Sequence, residues 1–156
     1  MTTDIFSASR HAGHLEVWGR KINHKNWTLD AKAKNLVVDD GLDLIRNKLY
    51  ATTQQAIITH GGVGSGTTPP AAGSSALTSE IIRKAFDDVN VDTSKQTRFE
   101  FSLAFDEGNS PGTISEAGLF TAASAGIMYA MVTFANLTKD DDIERLFRWI
   151  SAHADA

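Results

Sequence analysis

The chain predicts a mainly β fold: an antiparallel β-sandwich or barrel-like domain with one α-helix at about residues 39–50. Three observations support this. Phe99, Phe101, Leu103 and Phe105 alternate with Glu100, Ser102, Ala104 and Asp106, the period of two expected of a strand with one buried face. Further short apolar runs are separated by Gly-, Pro- and Asp-bearing turns, as in all-β sandwiches. Only residues 39–50 follow the 3.6-residue period of a helix.

Residues 1–14 are polar and read as an arm with little to bury. Residues 15–35 place Leu15, Val17, Trp18, Ile22, Trp27 and Leu29 among basic and Asn residues, suggesting short extended pieces. The expected division is therefore an arm and extended segment over 1–34, ordered by a partner, and a single β-rich domain over 35–152. Asp39 and Asp40 can cap the helix, whose Leu42, Ile45 and Leu49 form one stripe. Asp43 near its start and Lys48 near its end suit the helix dipole. Ala56 to His60 is a short β-rich run, and Gly61 to Ser75 reads as a long surface loop of Gly, Pro and small residues. Residues 77–91 suit a helix or a strand, and a strand after a short turn is favoured.

Thr93-Ser94-Lys95 makes a hairpin turn before the Phe99–Phe105 strand. Glu107 to Gly112 makes another turn, followed by a strand at Ile114–Phe120. After Gly126, Met128, Ala130, Val132 and Phe134 share one face of a strand, with Tyr129, Met131 and Leu137 on the other. Asp140-Asp141-Asp142 turns into a closing strand in which Ile143, Phe147 and Trp149 oppose Leu146 and Ile150. Both of these last strands are apolar on both faces.

At 156 residues there is room for one domain, and 42% apolar with 22% charged residues is an ordinary globular balance. With no cysteine there are no disulfides, thiolate metal sites or cysteine nucleophiles. No apolar run reaches the roughly 18 residues of a membrane span, so a soluble protein made in a cytoplasm is expected. Residues 1–50 carry 8 Lys/Arg and 6 Asp/Glu, and residues 51–156 carry 7 and 13, giving local charges of +2 and −6. The larger part repels phosphate. Arg20, Lys21, Lys25, Lys32 and Lys34 lie beside Trp18 and Trp27, but a solvated segment anchored by tryptophan fits them better than a nucleic-acid face.

The Gly-rich loop lacks the lysine of a phosphate-binding P-loop, and Thr67 stands where a dinucleotide fingerprint needs its third glycine. His11 and His14 have zinc-like spacing with no further ligand nearby, while His24, His60 and His153 are scattered. Asp140-Asp141-Asp142 with Glu144 departs from the calcium-loop spacing. No Gly-x-Ser-x-Gly nucleophile elbow occurs. Glu80, Glu100 and Glu116 are the carboxylates to consider for paired acid-base work, which only the fold can bring together. Glu116 lies between Ile114 and Ala117-Gly118-Leu119-Phe120, where a half-buried carboxylate needs a partner. A structural ion pair with Arg83 is expected, with Arg98 or Lys139 as alternatives. No catalytic residue, cofactor or metal site is expected.

Asn35–Leu42 before the helix, the Gly62–Pro70 loop, Leu77–Lys84, Ile114–Phe120, Met128–Phe134 with Lys139, and the closing Arg148-Trp149 strand together resemble small tailed-bacteriophage virion proteins of the tail, baseplate or tail-fibre type. The resemblance spans roughly residues 35–150 and rests on serial order. It implies a non-enzymatic, homo-oligomeric structural component of a virion, assembled in the host cytoplasm with other virion proteins and without nucleic acid or membrane. A capsid decoration protein is the alternative within that class. A carbohydrate-binding module is the alternative from another, with Trp18, Trp27, Trp149 or Tyr129 stacking on a host glycan; a small hydrolase is a third class. Tyr129, Met131, Phe147 and Trp149 are candidate intersubunit contacts, because strands apolar on both faces exceed the needs of one small core, and Trp18 and Trp27 join them in a basic segment that neighbours would order.

Overall fold

The computed structural model describes residues 13–93 and 96–152. Its strands are β1 (Gly13–Lys21), β2 (Thr28–Lys34), β3 (Leu36–Val37), β4 (His60–Gly64), β5 (Glu80–Ala85), β6 (Asp88–Val91), β7 (Gln96–Leu103), β8 (Thr113–Phe120), β9 (Met128–Thr138) and β10 (Ile143–Ala152). One helix, α1 (Asp39–Tyr50), lies between β3 and β4. Two five-stranded sheets run in the orders β2-β1-β10-β7-β6 and β3-β9-β8-β4-β5. Every pairing is antiparallel. The fold is a β-sandwich with a single helix, as the alternation predicts.

The main core lies between the sheets. Leu15 and Val17 of β1, Phe99, Phe101 and Leu103 of β7, and Phe147 and Trp149 of β10 meet Val63, Ala117, Leu119, Ala130 and Val132 of the other sheet. Phe101 and Phe147, register partners on neighbouring strands, stack with ring centroids 4.8 Å apart. Val38, Leu77, Phe120, Met128 and Met131 form a second buried cluster. The doubly apolar β9 is therefore covered on both faces by its own chain: Ala130 and Val132 enter the main core, and Met131 enters the second cluster.

Three expectations are corrected here. Residues 13–34 are not an arm outside the domain, because β1 sits between β2 and β10 and fully buries Leu15 and Val17. The alternation of Leu15, Val17 and Gly19 against Glu16, Trp18 and Arg20 is what places it there. Residues 1–12 lie outside the described residues, as do Ser94 and Lys95 of the expected hairpin turn. The Gly-rich run also does not begin as a loop. His60-Gly61-Gly62-Val63-Gly64 is β4, interior to its sheet, while Ala56–Thr59 forms no strand. Glycine is required there by close approach: a Cβ on Gly61 would overlap the Phe101 ring, and one on Gly62 would lie 2.7 Å from the Phe120 ring.

The helix α1 also departs from expectation. Its position matches the expectation, but Val38 is the N-cap, with no side-chain capping bond, and Asp39 and Asp40 occupy the first turn. The helix buries Gly41 and Leu44 rather than the Leu42, Ile45 and Leu49 stripe. Gly41 decides this orientation, since a Cβ there would overlap the Tyr129 carbonyl oxygen on β9. Val38 N–H donates to that same carbonyl at 3.2 Å.

Candidate interaction surface

With Gly41 and Leu44 pressed on the sheet, the rest of α1 turns apolar side chains outward. Leu49 is 73% exposed, Tyr50 79% and Ile45 41%, and Ile57 in the segment after the helix is 61% exposed. Beside them an apolar groove of about 270 Å³ is lined by Leu44, Ile45, Ile57, Ile58, Phe99 and Tyr129, with Lys48 as the one charged lining residue. Burial pushes the Tyr129 phenol above its ordinary pKa, partly offset by its hydrogen bond with Ser151. Such a groove offers contact area to apolar side chains. The stripe of Leu42, Ile45 and Leu49 is the sequence signal of this surface, but the stripe alone does not show which way the helix turns it.

The six candidate contact residues divide into two groups. Phe147 and Trp149 have no exposed surface, and Met131 and Tyr129 are buried, so these four pack mainly within the chain, with Tyr129 also lining the α1 groove. The main core covers Tyr129, Phe147 and Trp149, and the second hydrophobic cluster covers Met131, in place of the expected sister subunits. Trp18, on β1 beside β10, and Trp27, just before β2, stay half-buried. Trp18 Nε1 donates to Glu16 at 3.2 Å, and the Arg20 guanidinium lies 4.7 Å from the Trp27 ring.

Glu116 and Arg83 do not pair. Glu116 is fully buried, and its Oε1 accepts from the backbone N–H of Gly66 (3.1 Å) and Ser79 (2.7 Å), its Oε2 from Thr78 (3.0 Å). The carboxylate thus ties both ends of the connection between β4 and β5 to β8, and the Ser115 hydroxyl adds a bond to the Gly66 carbonyl. Backbone N–H dipoles stabilise the carboxylate without a cation. Arg83 holds Glu80 instead, at 2.7 and 2.9 Å, donates to the carbonyls of Ala122 and Ala125, and stacks 3.5 Å over Phe120. Glu100 pairs with Arg148 at 2.7 Å and Arg98 at 3.1 Å. All three candidate carboxylates therefore have structural partners.

Lys139 is buried, donating to the Phe105 carbonyl, Asn109 Oδ1 and the Asp140 carbonyl. Desolvation lowers its pKa, opposed by Asp140 and Asp141. His14 lies 3.5 Å from Glu16, and His60 Nδ1 hydrogen-bonds the Thr59 hydroxyl at 2.7 Å. His11 and His153 lie outside the described residues. Among the described residues, no group of three or more His, Asp or Glu could hold a metal ion, and no helix is long and apolar enough to cross a membrane.

Comparison with the profiles of known protein families, with curated proteins and with solved structures gives no match.

Proposed function

We propose that the chain is a non-enzymatic structural subunit of a tailed-bacteriophage particle, associating with copies of itself and with other virion proteins in the tail, baseplate or tail-fibre attachment. The serial likeness described above supplies the class. The observation that carries the assembly role is the outward apolar surface of Ile45, Leu49, Tyr50 and Ile57 beside the α1 groove. Apolar area gathered in one place on a small domain favours association, because covering it releases water. Repetition of a weak contact through many copies gives a stable particle.

Two measurements test this reading. Sedimentation across a wide concentration range is expected to show self-association that a Leu49→Ser, Ile57→Ser double variant abolishes without loss of fold, both residues being exposed. Antibody labelling of purified particles is expected at the tail. Label spread over the capsid shell would instead select the decoration role. A chain that stays monomeric at millimolar concentration and labels no particle would refute the proposal.

A further inference from the structure

At the end of the β1–β2 hairpin lies a second pocket of about 310 Å³, of different chemistry, lined by Arg20, Lys21, His24, Asn26, Asp30 and Arg145 among others. It is made possible by Gly19: a Cβ there would collide with the Arg145 guanidinium and the Asp30 carboxylate, which pass over it. Arg145 forms the inner wall, its side chain only 5% exposed. Its Nε and Nη2 donate to the Thr138 carbonyl and its Nη1 to Asp30, occupying three of five N–H groups. The other two N–H groups, one on each terminal nitrogen, belong to a nearly buried guanidinium that lines the pocket.

The mouth adds Lys21 and His24, both exposed, with Asn26 and Thr28 as neutral hydrogen-bonding groups. Lys21 has no acidic partner among the described residues, whereas Arg20 is engaged by Glu144 and stacks on Trp27. The lining holds Arg20, Lys21 and Arg145 against Asp30, a local +2 with histidine neutral, or +1 if Glu144 is included. The whole chain carries −4. A pocket of positive sign on a negative molecule concentrates anions, and a guanidinium fork beside an ammonium suits the paired oxygens of a carboxylate or phosphate.

We infer that this pocket binds an oxyanion, a carboxylate or phosphate group borne by a small ligand, with Arg145 and Lys21 as its cationic contacts. The inference is independent of the assembly role, since it uses the opposite sheet and different residues.

The test is an amide NMR titration of the full chain with sodium phosphate and, separately, sodium glucuronate, at ionic strength held constant with sodium chloride. Saturable shifts are expected at Gly19–Asp30 and Ile143–Arg145 with at least one of the two. Phosphate alone indicates a phosphate-bearing ligand, glucuronate alone an acidic saccharide, and both a general oxyanion site. Lys21→Gln, an exposed change whose spectrum also reports folding, is expected to weaken binding about fivefold. Shifts that do not saturate, that chloride reproduces, or that survive Lys21→Gln and His24→Ala unchanged would overturn the inference.

Discussion

Replacing Glu116 with Gln keeps the shape of the side chain and changes only what its two terminal atoms can do. The amide oxygen can serve Gly66 and Ser79, as Oε1 does now. The amide nitrogen then faces the Thr78 N–H, a donor against a donor. One charge-assisted bond of about 1.5–3 kcal/mol is lost, and a partly buried N–H is left unpaired at about 1–3 kcal/mol. The expected destabilisation is about 3–5 kcal/mol, against roughly 5–15 kcal/mol for a whole domain. Urea unfolding followed by tryptophan fluorescence reads it directly, because Trp149 is fully buried in the core. With a slope of about 2 kcal/mol per molar urea, the midpoint falls by roughly 2 M. Amide exchange at Gly66, Thr78 and Ser79 accelerates in parallel. A loss under about 1 kcal/mol, with exchange at those three amides unchanged, would refute the account of Glu116 as the anchor of this loop.

Gly61→Ala drives a methyl into the Phe101 ring and is expected to cost about 1–3 kcal/mol or more by overpacking, while Gly73→Ala, with open space around its Cβ, is expected to be neutral or mildly stabilising in the same thermal melts. Trp149→Ala is expected to cost about 3–5 kcal/mol in the isolated chain, whereas a residue serving only an intersubunit contact would leave monomer stability intact. The folded-state pKa of Lys139 is lowered, so between that value and 10.5 the unfolded chain holds more protons and stability rises with pH; Lys139→Met removes the rise in urea midpoints. The raised pKa of Tyr129 acts in the opposite sense above pH 10, where the unfolded phenol ionises first, and Tyr129→Phe removes that fall. At the acid end, the hydrogen bond from Lys84 lowers the Glu107 pKa, so its contribution is present above pH 4.5 and lost as pH drops through the folded value; Glu107→Gln flattens that limb.

Where a strand carries its own pattern, the fold was legible. Phe99, Phe101 and Leu103 alternate inward as expected, and residues 39–50 are the helix. β4 had no such pattern, because its inward and outward positions are both largely glycine. Its identity as a strand is written in Phe101, Phe120 and Glu116, distant residues whose bulk fills the space beside it. A local reading sees flexible residues, while the fold sees the only residues small enough to fit. Glu116 shows the same limit. Its apolar neighbours signal burial correctly, but backbone amides leave no trace in residue type, so the sequence points to a cationic partner instead. The apolar excess of β9 was likewise real, yet the chain itself supplies the second layer that covers it, while on β10 Phe147 and Trp149 enter the core and Leu146 and Ile150 stay half-buried on the other face.

The groove follows from one glycine. A helix with Leu42, Ile45 and Leu49 in a stripe would ordinarily bury that stripe. Here the Tyr129 carbonyl stands where any side chain at position 41 would go, so the closest approach to the sheet falls at Gly41. Leu44, three residues on, shares that face, and the stripe is left partly outward. The same glycine that brings α1 against β9 therefore leaves Ile45 and Leu49 in water. Restoring a side chain at position 41 would force the helix off the sheet and break both the seat and the groove beside it. Stability of the isolated chain and formation of the outward apolar surface are thus coupled through position 41. By contrast, Leu49 and Ile57 can be made polar with little cost to the fold. This separation of the residues that build the surface from those that present it is what makes the assembly role testable by mutation.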